Sequence, residues 1–188
     1  MSDLHRIQMR VNDLPRTLDV AANVALLDAL RDHCGHTGAK ECCAVGECGA
    51  CTVRVDGRTV NSCLMLAVEA DGAEVTTVEG LAPPGELSPL QQSFLDHGAV
   101  QCGFCIPGMV MSAQAVLDST PQPTEEAIRE GLSGNLCRCA GYNRMFEAVL
   151  AVADGSATTA NRALAPRPAD VVPGAPDAVA HGPAEARA

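Results

Sequence analysis

The chain has 188 residues and a formal net charge of −10, from 13 Lys and Arg against 23 Asp and Glu. This acidic balance, without a basic cluster, argues against nucleic acid or an anionic membrane surface as a partner. No apolar run approaches the roughly 18 residues that span a bilayer, and the first residues lack an apolar signal region. We therefore predict a cytoplasmic protein whose ten cysteines are free of disulfides and available for metal.

The first 80 residues have the pattern of a small α+β domain. Asn12-Asp13 and Asp56-Gly57 are turn signals between apolar segments, and the second is a strong hairpin signal. Asn23 is predicted to cap a helix that ends near Gly35. The predicted strands cover residues 7–11, 18–20, 52–55, 59–63, 63–68 and 75–78.

A cysteine-rich loop lies between the predicted helix and the hairpin. Its spacing, C-x4-C-x2-C followed by a more distant cysteine, is typical of a plant-type [2Fe–2S] loop. The four cysteines are Cys43, Cys48, Cys51 and Cys63. Gly46 and Gly49 allow the positive φ angles that a tight wrap requires, and Ala50 lets the backbone approach closely. Four cysteines can also hold structural zinc, but zinc sites usually offer two separate C-x2–4-C pairs.

The second half of the chain is predicted to be helical. Residues 82–85 form a linker or turn, and Ser88 begins a capping box with Pro89 at the first helical position. The predicted helices cover residues 88–97, 107–117, 125–132 and 142–153. Residues 155–188 are rich in Ala, Pro and Gly without apolar periodicity, which predicts a flexible tail.

A second group of cysteines precedes two of these helices. The group consists of Cys102, Cys105, Cys137 and Cys139. Free N–H groups and the positive end of the helix dipole favour thiolates at helix N-termini. A C-x2-C and a C-x-C pair at two facing helix ends could chelate one metal centre, and zinc would fit this half as well as iron.

Three stretches of the sequence together resemble the small iron–sulfur subunits of the molybdenum hydroxylases. They are the segment from Gly38 to Val53, Gln-Cys-Gly-Phe-Cys-Ile-Pro-Gly-Met from Gln101, and Gly-Asn-Leu-Cys-Arg-Cys-Ala-Gly-Tyr from Gly134. This family includes relatives of xanthine dehydrogenase, aldehyde oxidoreductase and aerobic CO dehydrogenase. The resemblance covers roughly residues 5–153.

The resemblance implies two [2Fe–2S] clusters, one on Cys43, Cys48, Cys51 and Cys63 and one on Cys102, Cys105, Cys137 and Cys139. It also implies that Gln101 and Cys139 approach the molybdopterin of a large partner subunit. Electrons would pass from that cofactor through the helical-domain cluster and the ferredoxin-like cluster to FAD on a medium subunit, or to another acceptor. The expected assembly is a hetero-oligomer, with a dimer of heterotrimers as one arrangement.

The implied fold is α+β, with a β-grasp ferredoxin-like domain over residues 1–80 and an all-α domain over 81–154. The second domain is expected to resemble a four-helix bundle, and residues 155–188 form the tail. The chain is expected to serve a molybdenum-dependent oxidoreductase without binding the substrate itself. The substrate stays open among purines, N-heterocycles, aldehydes, CO and aromatic thioesters.

Two other functions are compatible with the cysteines. One is a free-standing ferredoxin with two clusters, and the other is a structural zinc module without redox activity. Cys42 stands beside the first predicted ligand and would replace Cys43 if the register were shifted by one residue. Cys34 is interpreted as a small core residue.

Overall fold

The computed structural model describes residues 4–157, which form an α+β structure with a mixed five-stranded sheet. The strands are β1 (Leu4–Val11), β2 (Leu14–Ala21), β3 (Thr52–Val55), β4 (Arg58–Asn61) and β5 (Glu74–Thr76). The α-helices are α1 (Leu26–Asp28), α2 (Pro89–Asp96), α3 (Ile106–Ser119), α4 (Glu125–Gly131) and α5 (Tyr142–Ala153). A π-helical turn, Ala29–His33, continues α1, and 3₁₀ turns cover Ala67–Ala70 and Val78–Leu81.

The sheet has the order β2-β1-β5-β3-β4, in which β1 and β5 are parallel and the other pairs are antiparallel. Both predicted turns are confirmed. Asn12 and Asp13 have φ angles of 50° and 65°, and Asp56 and Gly57 have 48° and 80°. Positive φ at both central residues gives a turn whose twist matches the two strands, which is why each hairpin closes with two residues.

Two local predictions are wrong. Ala25, not Asn23, precedes the first residue of α1, because the chain stays extended there and Ala25 pairs with Leu66. Residues 63–68 do not form a strand beyond that single bridge. The Leu66 N–H donates to the Glu69 carboxylate at 2.7 Å, so its donor is used locally and a 3₁₀ turn follows.

The predicted helices of the second half are confirmed, with shifts of one or two residues at most of their ends. The Ser88 hydroxyl accepts a hydrogen bond from the Gln91 N–H at 3.2 Å, and the Gln91 side-chain oxygen accepts one from the Ser88 N–H at 2.8 Å. This reciprocal pair is the capping box predicted at Ser88. None of the helices within residues 4–157 is long and apolar enough to cross a membrane.

Two hydrophobic cores lie one on each side of residue 77. The first packs the sheet against α1 and the following turn around Val11, Leu26 and Val53, each with no exposed surface. The second packs the four helices from α2 through α5 together around residues such as Phe94 and Met109. The cysteine loop of the first half and the helix starts of the second half lie between them. Apart from residues 155–157, the predicted tail lies outside the described residues.

Candidate metal centres

The first cysteine loop wraps tightly because three of its residues adopt positive φ angles. Gly46 and Gly49 have φ angles of 82° and 66°, as predicted, and Ala44 has 52°. Ala50 is buried at 4% exposure, and its carbonyl accepts the Lys40 N–H at 3.0 Å. The loop thereby turns its backbone N–H groups inward, toward the cysteine sulfurs.

Cys43 is the thiol on which these N–H groups act most clearly. The backbone N–H groups of Val45, Cys48 and Glu47, together with the Cys48 thiol, lower the pKa of Cys43 to about 6. A thiol with this pKa is largely ionised at neutral pH. The thiolate is the form that binds metal, so Cys43 is prepared for that role.

The thiols of this set are arranged in pairs. Cys43 lies within hydrogen-bonding reach of Cys48, and the Cys51 Sγ lies 3.3 Å from the Cys63 Sγ. Burial raises the pKa of Cys51 to about 11 and also raises that of Cys48. Metal binding to these two thiols must displace their protons.

Two side chains that the sequence interpretation missed hold the loop. The Asn61 side chain donates to the Gly46 carbonyl at 3.0 Å. The Arg31 guanidinium donates to the carbonyls of Ala39 at 2.7 Å and Thr37 at 3.0 Å, at the entrance to the loop. Each partner lies six or more residues away in sequence, and the cysteine spacing gives no signal for either contact.

The second cysteine set lies at the starts of two helices, as predicted. Cys105 is the N-cap of α3, and Cys137 and Cys139 precede α5. Burial raises the pKa of Cys105 to about 12. Burial also acts to raise the pKa of Cys137, yet the N–H groups of Gly141, Cys139 and Ala140, with the Cys105 thiol, hold it below its ordinary value. The N–H groups of the turn that precedes α5 therefore stabilise the Cys137 thiolate.

These thiols are also arranged in two pairs. Cys105 lies within hydrogen-bonding reach of Cys137, and Cys102 within reach of Cys139. Cys102 is exposed, whereas Cys105 and Cys137 are buried. The exposed Gln101 side chain donates to the Cys139 carbonyl at 3.2 Å, so Gln101 and Cys139 lie together at the surface.

Both sets suit a two-iron cluster, since such a cluster takes two protein ligands on each iron and each set offers two thiol pairs. Thiolates are the ligands that iron–sulfur clusters use, and N–H groups reach the sulfurs in both sets. Within residues 4–157, no three His, Cys, Asp or Glu side chains surround a point that would hold a single metal ion.

The two remaining cysteines are separate from these pairs. Cys42 is exposed, and no pairing of its thiol is seen among the described residues. Cys34 is half-buried against the first core, and burial raises its pKa. Cys34 therefore packs as a small apolar residue, as predicted.

The two sets are connected through the segment before Cys137. The Leu136 N–H donates to the Cys48 carbonyl at 2.9 Å. The side chain of Asn135, only 4% exposed, donates to the Gly49 carbonyl at 2.9 Å. Sequence reasoning missed Asn135, because its partner lies 86 residues away.

The sequence matches two described families. Residues 9–82 match the 2Fe-2S iron-sulfur cluster binding domain, and residues 77–150 match the [2Fe-2S] binding domain. The two matches overlap at residues 77–82, where the first core gives way to the second.

Two curated proteins are about half identical to this chain. The nicotinate dehydrogenase small FeS subunit of Eubacterium barkeri is 50% identical over 143 residues, which cover 76% of this chain and 91% of that protein. The nicotine 6-hydroxylase small subunit of Paenarthrobacter nicotinovorans is 50% identical over 149 residues, 79% of this chain and 90% of that protein.

A solved structure has the same fold. A chain of quinoline 2-oxidoreductase from Pseudomonas putida 86 superposes with a TM-score of 0.79 at 45% sequence identity. The alignment covers 82% of this chain and 97% of that one.

Proposed function

We propose that this chain, which belongs to the family of small [2Fe–2S] subunits of the molybdenum hydroxylases, holds its two clusters on the eight paired cysteines. It is an electron-transfer subunit of an oxidoreductase, and the substrate is bound by a larger molybdopterin-containing partner. When bound, each cluster accepts and releases single electrons. The ligands of the first are Cys43, Cys48, Cys51 and Cys63, and those of the second are Cys102, Cys105, Cys137 and Cys139.

The observation that carries this assignment is the pairing of thiols in both sets, with backbone N–H groups directed at Cys43 and Cys137. These N–H groups stabilise negative charge on sulfur, and the buried thiols keep water from the inner side of each set. The chain's own contribution is therefore to bind, orient and partly desolvate the two centres.

The exposed edge of the second set is the face that we assign to the molybdopterin subunit. Gln101 and Cys102 are exposed there, and the Gln101 amide lies against the Cys139 carbonyl. Gln101 and Cys139 would then contact the pterin. We further propose that the first set faces an FAD-binding medium subunit, in a hetero-oligomer such as a dimer of heterotrimers.

The domain boundary belongs to the same proposal. The change of core near residue 77 supports a β-grasp domain over residues 1–80 and a bundle-like helical domain over 81–154. The ten cysteines are free of disulfides, which suits a reducing compartment such as the cytoplasm.

Elemental analysis of the complex purified from its source tests the function. We expect about four iron and four sulfide per chain, with molybdenum and a larger polypeptide in the same fraction. The same iron and sulfide without molybdenum or partner would indicate a free-standing ferredoxin. Zinc without sulfide would contradict the redox function.

Cysteine variants test the ligands. Cys43→Ser should remove the EPR signal of one cluster and Cys102→Ser that of the other, while the control Cys42→Ser keeps both. If Cys42→Ser removed a signal and Cys43→Ser did not, the ligand register would be one residue earlier.

The substrate is tested on the assembled complex, because its chemistry belongs to the partner. Two relatives are named for nicotinate and nicotine and the solved structure for quinoline, all N-heterocyclic compounds. We therefore propose an N-heterocycle with a pyridine ring, to be assayed beside purines and aldehydes with an artificial electron acceptor. Turnover of a purine or an aldehyde alone would exclude this proposal.

A further inference from the structure

The Asn61 side chain, at the end of β4, contacts two parts of the first cysteine loop. Its Nδ2 group donates to the Gly46 carbonyl at 3.0 Å. Its Oδ1 atom lies 3.9 Å from the Sγ atom of Cys51, a candidate ligand. One amide therefore holds the loop with its nitrogen and faces a ligand sulfur with its oxygen.

The Gly46 carbonyl determines which end of the amide faces the sulfur. A carbonyl oxygen can only accept hydrogen bonds, so it requires the Nδ2 donor. Turning the amide over would place Oδ1 against this carbonyl, and two acceptors would then face each other. The side-chain oxygen of Asn61 is thus directed at Cys51.

Backbone contacts keep Asn61 in this position. Asn61 pairs with Thr52 in the register of β3 and β4, and its own carbonyl accepts the Leu64 N–H at 2.9 Å. The next residue, Ser62, has no exposed surface, and its hydroxyl donates to the Cys51 carbonyl at 2.7 Å. The segment that carries Asn61 is therefore bound to the residue whose sulfur its amide faces.

Metal binding changes the character of the contact between Asn61 and Cys51. In the free thiol, the Cys51 S–H group can donate to Oδ1 across this distance. A cysteine binds metal as the thiolate, so this proton is released when a cluster binds. The negative end of the amide dipole then faces a negatively charged sulfur, and further negative charge at that sulfur is unfavourable.

We propose that Asn61 sets the reduction potential of the first centre, lowering it through the amide oxygen directed at Cys51. The inference rests on the proposed function, since it requires a cluster on the first cysteine set. Net charge, hydrogen bonds to sulfur and exposure to solvent determine the potentials of iron–sulfur clusters. The amide dipole opposes an added electron at this site, so the reduced centre is a stronger donor to the next acceptor.

A polar groove between the two halves lies beside Asn61. It has a volume of about 220 Å³, and its hydrogen-bonding side chains are those of Thr52, Thr59, Asn61, Ser112 and Asn135. Gly46 lines the same groove. Water in a polar groove of this size can reach the loop when the Asn61 side chain is shortened. Such water would donate to the Gly46 carbonyl and to the Cys51 sulfur, and donation to the sulfur favours reduction.

Asn61→Ala and Asn61→Asp test the inference, because they should shift the potential in opposite directions. The alanine variant removes the amide oxygen and admits water, so the first centre should have a more positive potential than in the wild type. The aspartate variant keeps the size of the side chain and adds a negative charge, so the potential should be more negative. Redox titration of both EPR signals in the full complex measures these shifts, and the second centre should keep its wild-type potential.

Thr59→Ala is the matched control. Thr59 lies two residues earlier on β4, is exposed and lines the same groove. This variant should keep both potentials. With one electron per complex, a larger share should reside on the first centre in Asn61→Ala than in Thr59→Ala or the wild type. An equal positive shift in both alanine variants would mean that hydration of the groove, rather than the amide, sets the potential.

Asn61→Thr preserves the test if the first centre does not assemble without the amide. Threonine suits a strand and carries a hydroxyl donor for the Gly46 carbonyl, but it has no amide oxygen, so the potential should again be more positive. A wild-type potential of the first centre in Asn61→Ala or Asn61→Thr would overturn the inference, and so would shifts of the same sign in Asn61→Ala and Asn61→Asp.

Two further results separate the inference from the proposed function. Loss of the first signal in all three Asn61 variants, with the second retained, would show that Asn61 only folds the loop, and the inference would be wrong. A wild-type complex lacking the two signals would instead overturn the proposed function, and the inference with it.

Discussion

The Tyr142 hydroxyl holds the backbone of Cys137, one of the candidate ligands. It accepts the backbone N–H of Cys137 at 2.7 Å, while its ring stacks on Phe146 with centroids 6.5 Å apart. Tyr142 is the first residue of α5, and the N–H groups that reach the Cys137 sulfur belong to the short turn just before it, Cys139 to Gly141. Hydrogen bonds therefore hold both the backbone and the sulfur of Cys137.

Tyr142→Phe should weaken this arrangement without altering the packing of the ring. The Cys137 N–H would lose its acceptor, and an unsatisfied buried donor costs about 1–3 kcal/mol. We expect a lower free energy of unfolding in urea and a shifted reduction potential for the second cluster alone. Asn143→Ala, at an exposed neighbouring position, is the control. Equal potentials in wild type and Tyr142→Phe would show that the hydroxyl has no influence on the site.

For single residues, the sequence predicts those features that depend only on neighbours along the chain. Positive φ at Gly46 and Gly49 follows from the short cysteine spacing. The roles of Arg31, Asn61 and Asn135 could not be predicted, because each side chain binds a carbonyl that only the tertiary fold brings near. An Asn or Arg has no pattern of its own that distinguishes such a contact from exposure to solvent.

Helix α3 is the element that joins the two halves most closely. It begins immediately after Cys105 and runs against β3 and β4, so its first turn rests on the first cysteine loop. Gly108 makes this approach possible, since any Cβ there would overlap the Gly49 carbonyl oxygen. The position needs glycine for space rather than for its backbone freedom.

Gly108→Ala should therefore destabilise the protein, although alanine in a helix normally stabilises by about 0.5–1 kcal/mol relative to glycine. Overpacking against backbone costs about 1–3 kcal/mol, which outweighs the helical preference. Gly134→Ala is a suitable control, because its Cβ would meet nothing within 4 Å. Thermal unfolding that showed a higher midpoint for Gly108→Ala than for wild type would contradict the close contact.

The predicted elements differ in how well local signals determined them. The hairpin at Asp56-Gly57 and the helix at Ser88 were predicted because the turn and the cap are formed by adjacent residues. The first helix begins at Leu26 rather than beside Asn23, because pairing of Ala25 with Leu66 keeps the chain extended. This long-range pairing outweighed the local preference of Asn23 for a helix N-cap.

At the scale of the whole molecule, the contacts between the two halves within residues 4–157 include a surface ion pair and the buried amide of Asn135. Arg54 on β3 lies 2.5 Å from Asp118 on α3, with side chains 23% and 42% exposed. Asn135, in contrast, is almost completely buried. Removal of a buried hydrogen bond lowers the free energy of unfolding more than removal of a partly hydrated ion pair does.

Arg54→Met should accordingly have a small effect, about 0–1 kcal/mol, that decreases further at high salt. Asn135→Ala should cost about 1–3 kcal/mol, largely independent of salt. Urea unfolding at two salt concentrations measures both. A larger and salt-sensitive loss in Arg54→Met would mean that charge, rather than buried amide contacts, holds the halves together.

The position of Tyr142 gives the protein a built-in optical reporter. The chain has one tyrosine and no tryptophan, so its near-ultraviolet emission comes from a single ring beside Cys137. An iron–sulfur chromophore bound to that cysteine should quench this light by energy transfer, and chelation of the iron should restore it. Cys102→Ser should emit more strongly than Cys43→Ser, which keeps the nearer cluster. Equal emission from the two variants would show that the ring does not distinguish the two sites. The expected difference would allow the filling of the second site to be followed in real time without a label.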